Sequence, residues 1–205
     1  MPQSSEHFPA YSQQIIICWE FTDNLLYLTL SLSRGRFMSE ISKDSINILE
    51  ICGKMGMVYT SLIEEDEGQE YSASYCLVSD KKLFFRTSKV TPKKSGQFVT
   101  FWKRSSLNKK IEPYSNTDEF DLLVVIARKK RNLGYFIFPK HVLASKKILS
   151  NAGQDGKRAF RVYTPWDTVE SKQARSTQEW QLEYFAESHS GQLNPKLHTL
   201  IKNCF

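Results

Sequence analysis

At 205 residues with a net charge of +6, the chain is long enough for one domain with its own core, and its ordinary apolar and charged fractions exclude a disordered or fibrous protein. Four cysteines (Cys18, Cys52, Cys76, Cys204) and four histidines (His7, His141, His189, His198) are scattered without paired spacing. That pattern argues against a zinc site or a disulfide framework and fits a reducing, cytoplasmic setting. No apolar run is long enough to span a bilayer, so no membrane partner is expected.

Residues 1–37 read differently from the rest. Their apolar runs at 15–19 and 25–30 are interrupted by Glu20 and Asp23, and the start lacks the basic region of a signal peptide. An added strand or hairpin is one reading and a membrane-surface anchor a second, less favoured one. The favoured one is an extra segment outside the natural domain, with Met38 as a candidate start and 38–205 as a single domain. From Ser42 to Gly53 the pattern is helical: Ser42 or Asp44 can cap it, Ile48, Leu49, Cys52 and Met55 form its apolar stripe, and Gly53 or Gly56 ends it.

The 64–70 segment follows, with five carboxylates in seven residues. A solvated acidic loop is the bland reading; one or two acids facing a basic surface is the functional one. Residues 71–78 alternate as a strand, 79–82 turn, and a second strand starts at Leu83. Leu83 and Phe85 belong on one side of it, Phe84 and Arg86 on the other. A loop at 91–96 leads to a strand over 98–102 that ends in Lys103 and Arg104. A polar loop is expected over 108–119. The run 120–127 reads as a strand buried on both faces, 128–132 as a basic turn, and 134–139 as its partner. A short helix follows Pro139, then a polar loop over 151–158 and a strand over 160–163. Asp167 or Thr168 can cap a last helix with Ala174, Thr177, Gln181 and Tyr184 along one face. The order predicts an α/β (α+β) domain with a mixed β-sheet flanked by helices.

Between Lys81 and Lys110 there are ten Lys or Arg and no Asp or Glu. The bases alternate with aromatic and β-branched residues at strand spacing, which predicts a rigid platform carrying positive charge. A polyanion suits such a surface, and nucleic acid is the commonest. Lys89, Lys93 and Lys94 are the leading phosphate contacts, with Arg86, Lys103 and Arg104 along the same stripe. Arg161, set between Phe160 and Val162, is expected to pair with a carboxylate such as Glu70 or with phosphate. Trp102 and Trp166 read as core residues.

The chain resembles the MepB family. The matching segments are Glu70-Tyr71-x-Ala73, FRTSKVTPKKSGQFVTFWKR, FDLLVV with GYFIFPKHVL, GKRAFRVYTPW and QEWQLEYF, in that order, and the resemblance covers roughly 41–186. The resemblance implies a bacterial cytoplasmic protein with a restriction-endonuclease-like fold and an association with DNA or RNA. Such nucleases need one acid on a first strand and a second acid two residues before a Lys on the next, to hold magnesium. Glu70, Glu65 or Glu64 can stand as the first acid and Lys89 as the Lys. Thr87 occupies the place of the second acid, with Arg86 beside it; Asp121 is a candidate acid from another element. Gly156-Lys157 lacks the glycine pattern of a phosphate loop. The reading is therefore a nucleic-acid-binding module on a nuclease-like scaffold, without cleavage and without a cofactor. The alternatives are a magnesium-dependent nuclease using Glu70 and Lys89, or a basic domain that binds an acidic protein.

Overall fold

The computed structural model describes residues 43–188 and 194–205; the segment 1–37 and the candidate cap Ser42 lie outside them. Helix α1 (Lys43–Lys54) comes first, then the two-residue strand β1 (Ile63–Glu64), a single 3-10 turn at Gln69–Tyr71, and the hairpin β2 (Ser74–Val78) and β3 (Lys81–Thr87). Four short strands follow: β4 (Lys89–Val90), β5 (Gln97–Thr100), β6 (Trp102–Arg104) and β7 (Ile111–Pro113). The long hairpin β8 (Leu122–Lys129) and β9 (Asn132–Pro139) runs into helix α2 (Lys140–Ser145). Strand β10 (Ala159–Val162), helix α3 (Lys172–Glu183), strand β11 (Phe185–Ser188) and helix α4 (Pro195–Cys204) complete the order.

The main sheet has the order β1-β2-β3-β8-β9-β11. It is a mixed sheet flanked by helices, an α+β fold. All its pairings are antiparallel except β3 with β8, which run parallel with Leu83 opposite Leu122 and Thr87 opposite Ile126. Parallel neighbours need a long crossover, and here β4 to β7 form it. The apolar run in β8 sends alternate side chains to opposite faces. Leu123 and Val125 join Phe84, Phe101, Phe136 and Phe138 in one core, beneath α2, β10 and α3. Val124 and Ile126 join Leu83, Phe85 and Ile137 in the other, beneath α1 and α4. No Cβ fits at Gly134 of β9: one built there lies 2.3 Å from the Phe185 ring of β11.

Several expectations change. The strand foreseen over 98–102 breaks at Phe101, which is fully buried and stacks on Tyr114 at 4.3 Å. Its N–H still donates to the Arg158 carbonyl at 2.9 Å, one register position past the Thr100–Ala159 pair of β5 and β10. Strand β5 pairs with β4 and β10, while β6 pairs with β7, a strand inside the expected 108–119 loop. Helix α3 is capped by Ser171, which accepts from the Ala174 N–H, and not by Asp167 or Thr168. Asp167 instead accepts from the Thr164 N–H and hydroxyl and pairs with Lys129. Helix α4, capped by Asn194 with Pro195 in its first turn, was not foreseen. Asp44 lies within the first turn of α1, where its charge suits the helix dipole, and pairs with Arg128.

Candidate nucleic-acid interface

Three bases of the platform are answered by the acidic segment. Arg86, on the inner face of β3, is 2% exposed. Its guanidinium donates to both Glu65 oxygens, at 2.6 and 2.9 Å, and lies 5.7 and 5.6 Å from the Phe84 and Phe101 ring centroids. The Tyr114 hydroxyl donates to the same carboxylate at 3.3 Å. Burial, and then the Glu65 charge, push that phenol well above its usual range, so it stays a donor. Arg86 is therefore a buried structural cation, not a surface contact. Arg104 pairs with Glu67, and Lys103 pairs with Asp118 and, at 3.5 Å, with Glu112. Lys89 reaches Glu70 at 3.3 Å and sits 4.4 Å above the Tyr71 ring. Three acids of one short segment thus answer three bases of the platform.

The 91–96 loop is different. Arg161, on β10, reaches across to it and donates to the Ser95 and Gly96 carbonyls at 3.1 and 3.0 Å and to the Thr91 hydroxyl at 2.8 Å. The expected Glu70 partner is not used. Gly96 takes φ +74, and a Cβ there would lie 2.5 Å from the Tyr163 ring, so only glycine closes the loop against β10. The Ser95 hydroxyl bonds to the Thr168 carbonyl. Lys93 and Lys94 stand exposed on this tied loop and form no ion pair among the described residues. Beneath it, Phe98 meets the Tyr71 ring edge-on at 6.3 Å, and the Arg161 guanidinium lies 6.0 Å from the Phe98 ring.

The nuclease donor set does not assemble around Lys89. Thr87 stands where the second acid belongs, and its hydroxyl is buried without a partner. Both Glu65 oxygens are spent on a guanidinium, whose fixed charge repels a divalent cation. Asp121 accepts from the Lys82 N–H at 2.8 Å, at the opening end of the β3–β8 pair. Because these strands are parallel, Lys89 lies beyond their other end, about seven residues or roughly 23 Å along the extended chain from Lys82. Among the described residues no group of three or more His, Cys, Asp or Glu is arranged for a metal ion. These residues do not fit magnesium.

Glu67 and Tyr71, which hold Arg104 and Lys89, were not singled out from the sequence. The signal was present in the opposition of five acids to ten bases, but the pairing depends on how the chain doubles back.

A mixed-sheet α+β domain with a tied basic loop is thus the class of protein that these residues build. The MepB-like family model matches residues 65–187, and the chain belongs to that family. A crystal structure of MepB is 34% identical, with a TM-score of 0.63, over 71% of this chain and 97% of that one. The structure of a bacterial homing endonuclease aligns at 14% identity, with a TM-score of 0.39, over 68% of this chain and 87% of that one. No curated protein matches the sequence. No helix among the described residues is long and apolar enough to cross a membrane.

Proposed function

We propose that this chain is a nucleic-acid-binding module on a nuclease-like scaffold, one that holds a strand by its phosphates and does not cut it. One observation carries the reading. Arg161 ties the 91–96 loop to β10 and leaves Lys93 and Lys94 exposed without ion pairs, while neighbouring cations are neutralised. A loop fixed in advance loses little freedom when it meets a ligand, so its two charges are well placed for a polyanion. Lys89, half exposed over Tyr71, is the next contact along the surface. Phosphate contacts of this kind carry little base information, so weak sequence preference is expected. The misfit of Thr87 and Glu65 to a magnesium site supports binding without cleavage.

The test is fluorescence anisotropy with labelled single- and double-stranded oligonucleotides over a salt series. The natural protein should bind, with affinity that falls as salt rises. A Lys93→Ala/Lys94→Ala variant should bind all sequences more weakly, with a log–log slope flatter by about two units on duplex DNA. No binding at low salt sinks the proposal. Magnesium-dependent cleavage that disappears in Glu70→Ala and Lys89→Ala sinks its non-cutting half.

A further inference from the structure

A cavity of about 370 Å³ opens between the end of α2, strand β10 and the first turns of α3. Lys146, Lys157 and Arg161 line it, the Arg161 guanidinium being already bound to the 91–96 loop, and no acidic residue does. Cations converging on a concave, partly apolar site raise its potential for an anion well above that of scattered surface lysines. The first turn of α3 adds to this. It lines the cavity through Gln173 and Ala174 and contains no acid; Ser171 takes the Ala174 N–H, and the other first-turn N–H groups form the positive end of a twelve-residue helix. The rest of the lining is mixed: Phe160, Ala174 and Trp180 are apolar and Thr177 and Gln181 polar, with the Lys146 ammonium 5.2 Å from the Trp180 ring centroid. The volume lies at the small end of ligand pockets and exceeds what a lone anion needs.

Exposed lysines beside an indole suit a phosphate carried on a ring system. We propose that this cavity takes one nucleotide, with its phosphate facing Lys146, Lys157 and the start of α3, and its sugar and base against Ala174 and Trp180. Arg161 lines the cavity and also ties the 91–96 loop. A strand lying over Lys93 and Lys94 therefore has a terminal nucleotide within reach of the cavity. That strand-borne ligand rests on the binding function proposed above; a free nucleotide does not.

Calorimetry on the full chain separates the two sources. The probes are adenosine monophosphate, adenosine, inorganic phosphate, and one short oligonucleotide with and without a 5′-phosphate. Adenosine monophosphate should bind at least about tenfold more tightly than adenosine or phosphate alone, since each lacks half of the contacts. Lys146→Ala/Lys157→Ala should weaken it by about tenfold or more; both side chains are exposed, so the variant folds. A 5′-phosphate that tightens oligonucleotide binding to the natural protein but not to the variant assigns the cavity to a strand end. Nucleotide binding with no such discrimination assigns it to a free nucleotide. Phosphate binding as tightly as the nucleotide overturns the proposal, as does a variant that keeps its affinity for every probe. Oligonucleotide binding that needs Lys93 and Lys94 but ignores the cavity variant removes the cavity and leaves the loop. Nucleotide binding without oligonucleotide binding does the reverse.

Discussion

Glu65 and Arg86 form a two-point ion pair between the acidic segment and the inner face of β3, with side chains 16% and 3% exposed. Removing one partner leaves the other charge buried. Glu65→Ala should therefore cost about 3–5 kcal/mol in denaturant unfolding. Replacing both, as Glu65→Gln with Arg86→Met, should cost clearly less than the sum of the single changes. Simple additivity of the two would show that the pair does not act as a unit.

The two outer pairs of the same segment compete with any polyanion. Glu67→Gln with Glu70→Gln releases Arg104 and Lys89. Nucleic-acid affinity at low salt should rise and the log–log salt slope should steepen, by about one unit for each cation that gains a phosphate. An unchanged slope, measured by anisotropy, would mean that neither cation faces the ligand.

Gly134 is set by packing, since its Cβ position falls within 2.5 Å of the Phe185 ring. Gly134→Ala should cost about 1–3 kcal/mol by overpacking. Adding Phe185→Leu, which removes the obstructing ring, should recover part of the loss. Equal unfolding midpoints for the single and double variants would rule out the clash as the cause.

Burial pushes the Cys52 and Cys76 thiols from 9.0 up to about 12. The folded state then holds these protons more tightly than the unfolded chain does. Their contribution to stability is whole below about pH 9 and is lost as pH rises towards 12. Tyr135, raised by burial and then by Asp44 from 10.0 to about 12, acts in the same direction. Urea midpoints should fall steadily above pH 9, and a thiol reagent should label Cys52 and Cys76 only on unfolding. Rapid labelling in the folded state at pH 8 would contradict their burial.

The parts of the fold that were legible in the sequence are those governed by local pattern. The run from Leu122 to Ala127 announced a strand buried on both faces, and the alternation at Leu83 to Arg86 assigned each side chain to the correct face. What escaped depends on distant partners. Nothing near Phe101 shows that Tyr114 will draw it into the core and split a strand. The expected helix cap at Asp167 failed because Lys129 and Thr164 claim that carboxylate. The candidate site has the same history. Arg86, Lys89 and Arg104 looked like a row of available charges, but their partners lie 21, 19 and 37 residues away along the chain. Lys93 and Lys94 kept their exposure because the loop places them beyond those acids.

The margins of the main sheet have a consequence for how copies of this chain meet. Among the described residues, one margin is β1, with only two ladder residues and acids at and after its end; the other is β11, four residues long, with α4 packed along it. The long strands β8 and β9 are paired on both sides. A second molecule approaching edge-on finds little unpaired backbone to extend, and at β1 it meets carboxylates first. Strand addition, the usual route from a β-rich fold to an insoluble aggregate, finds little template at the described margins of this sheet.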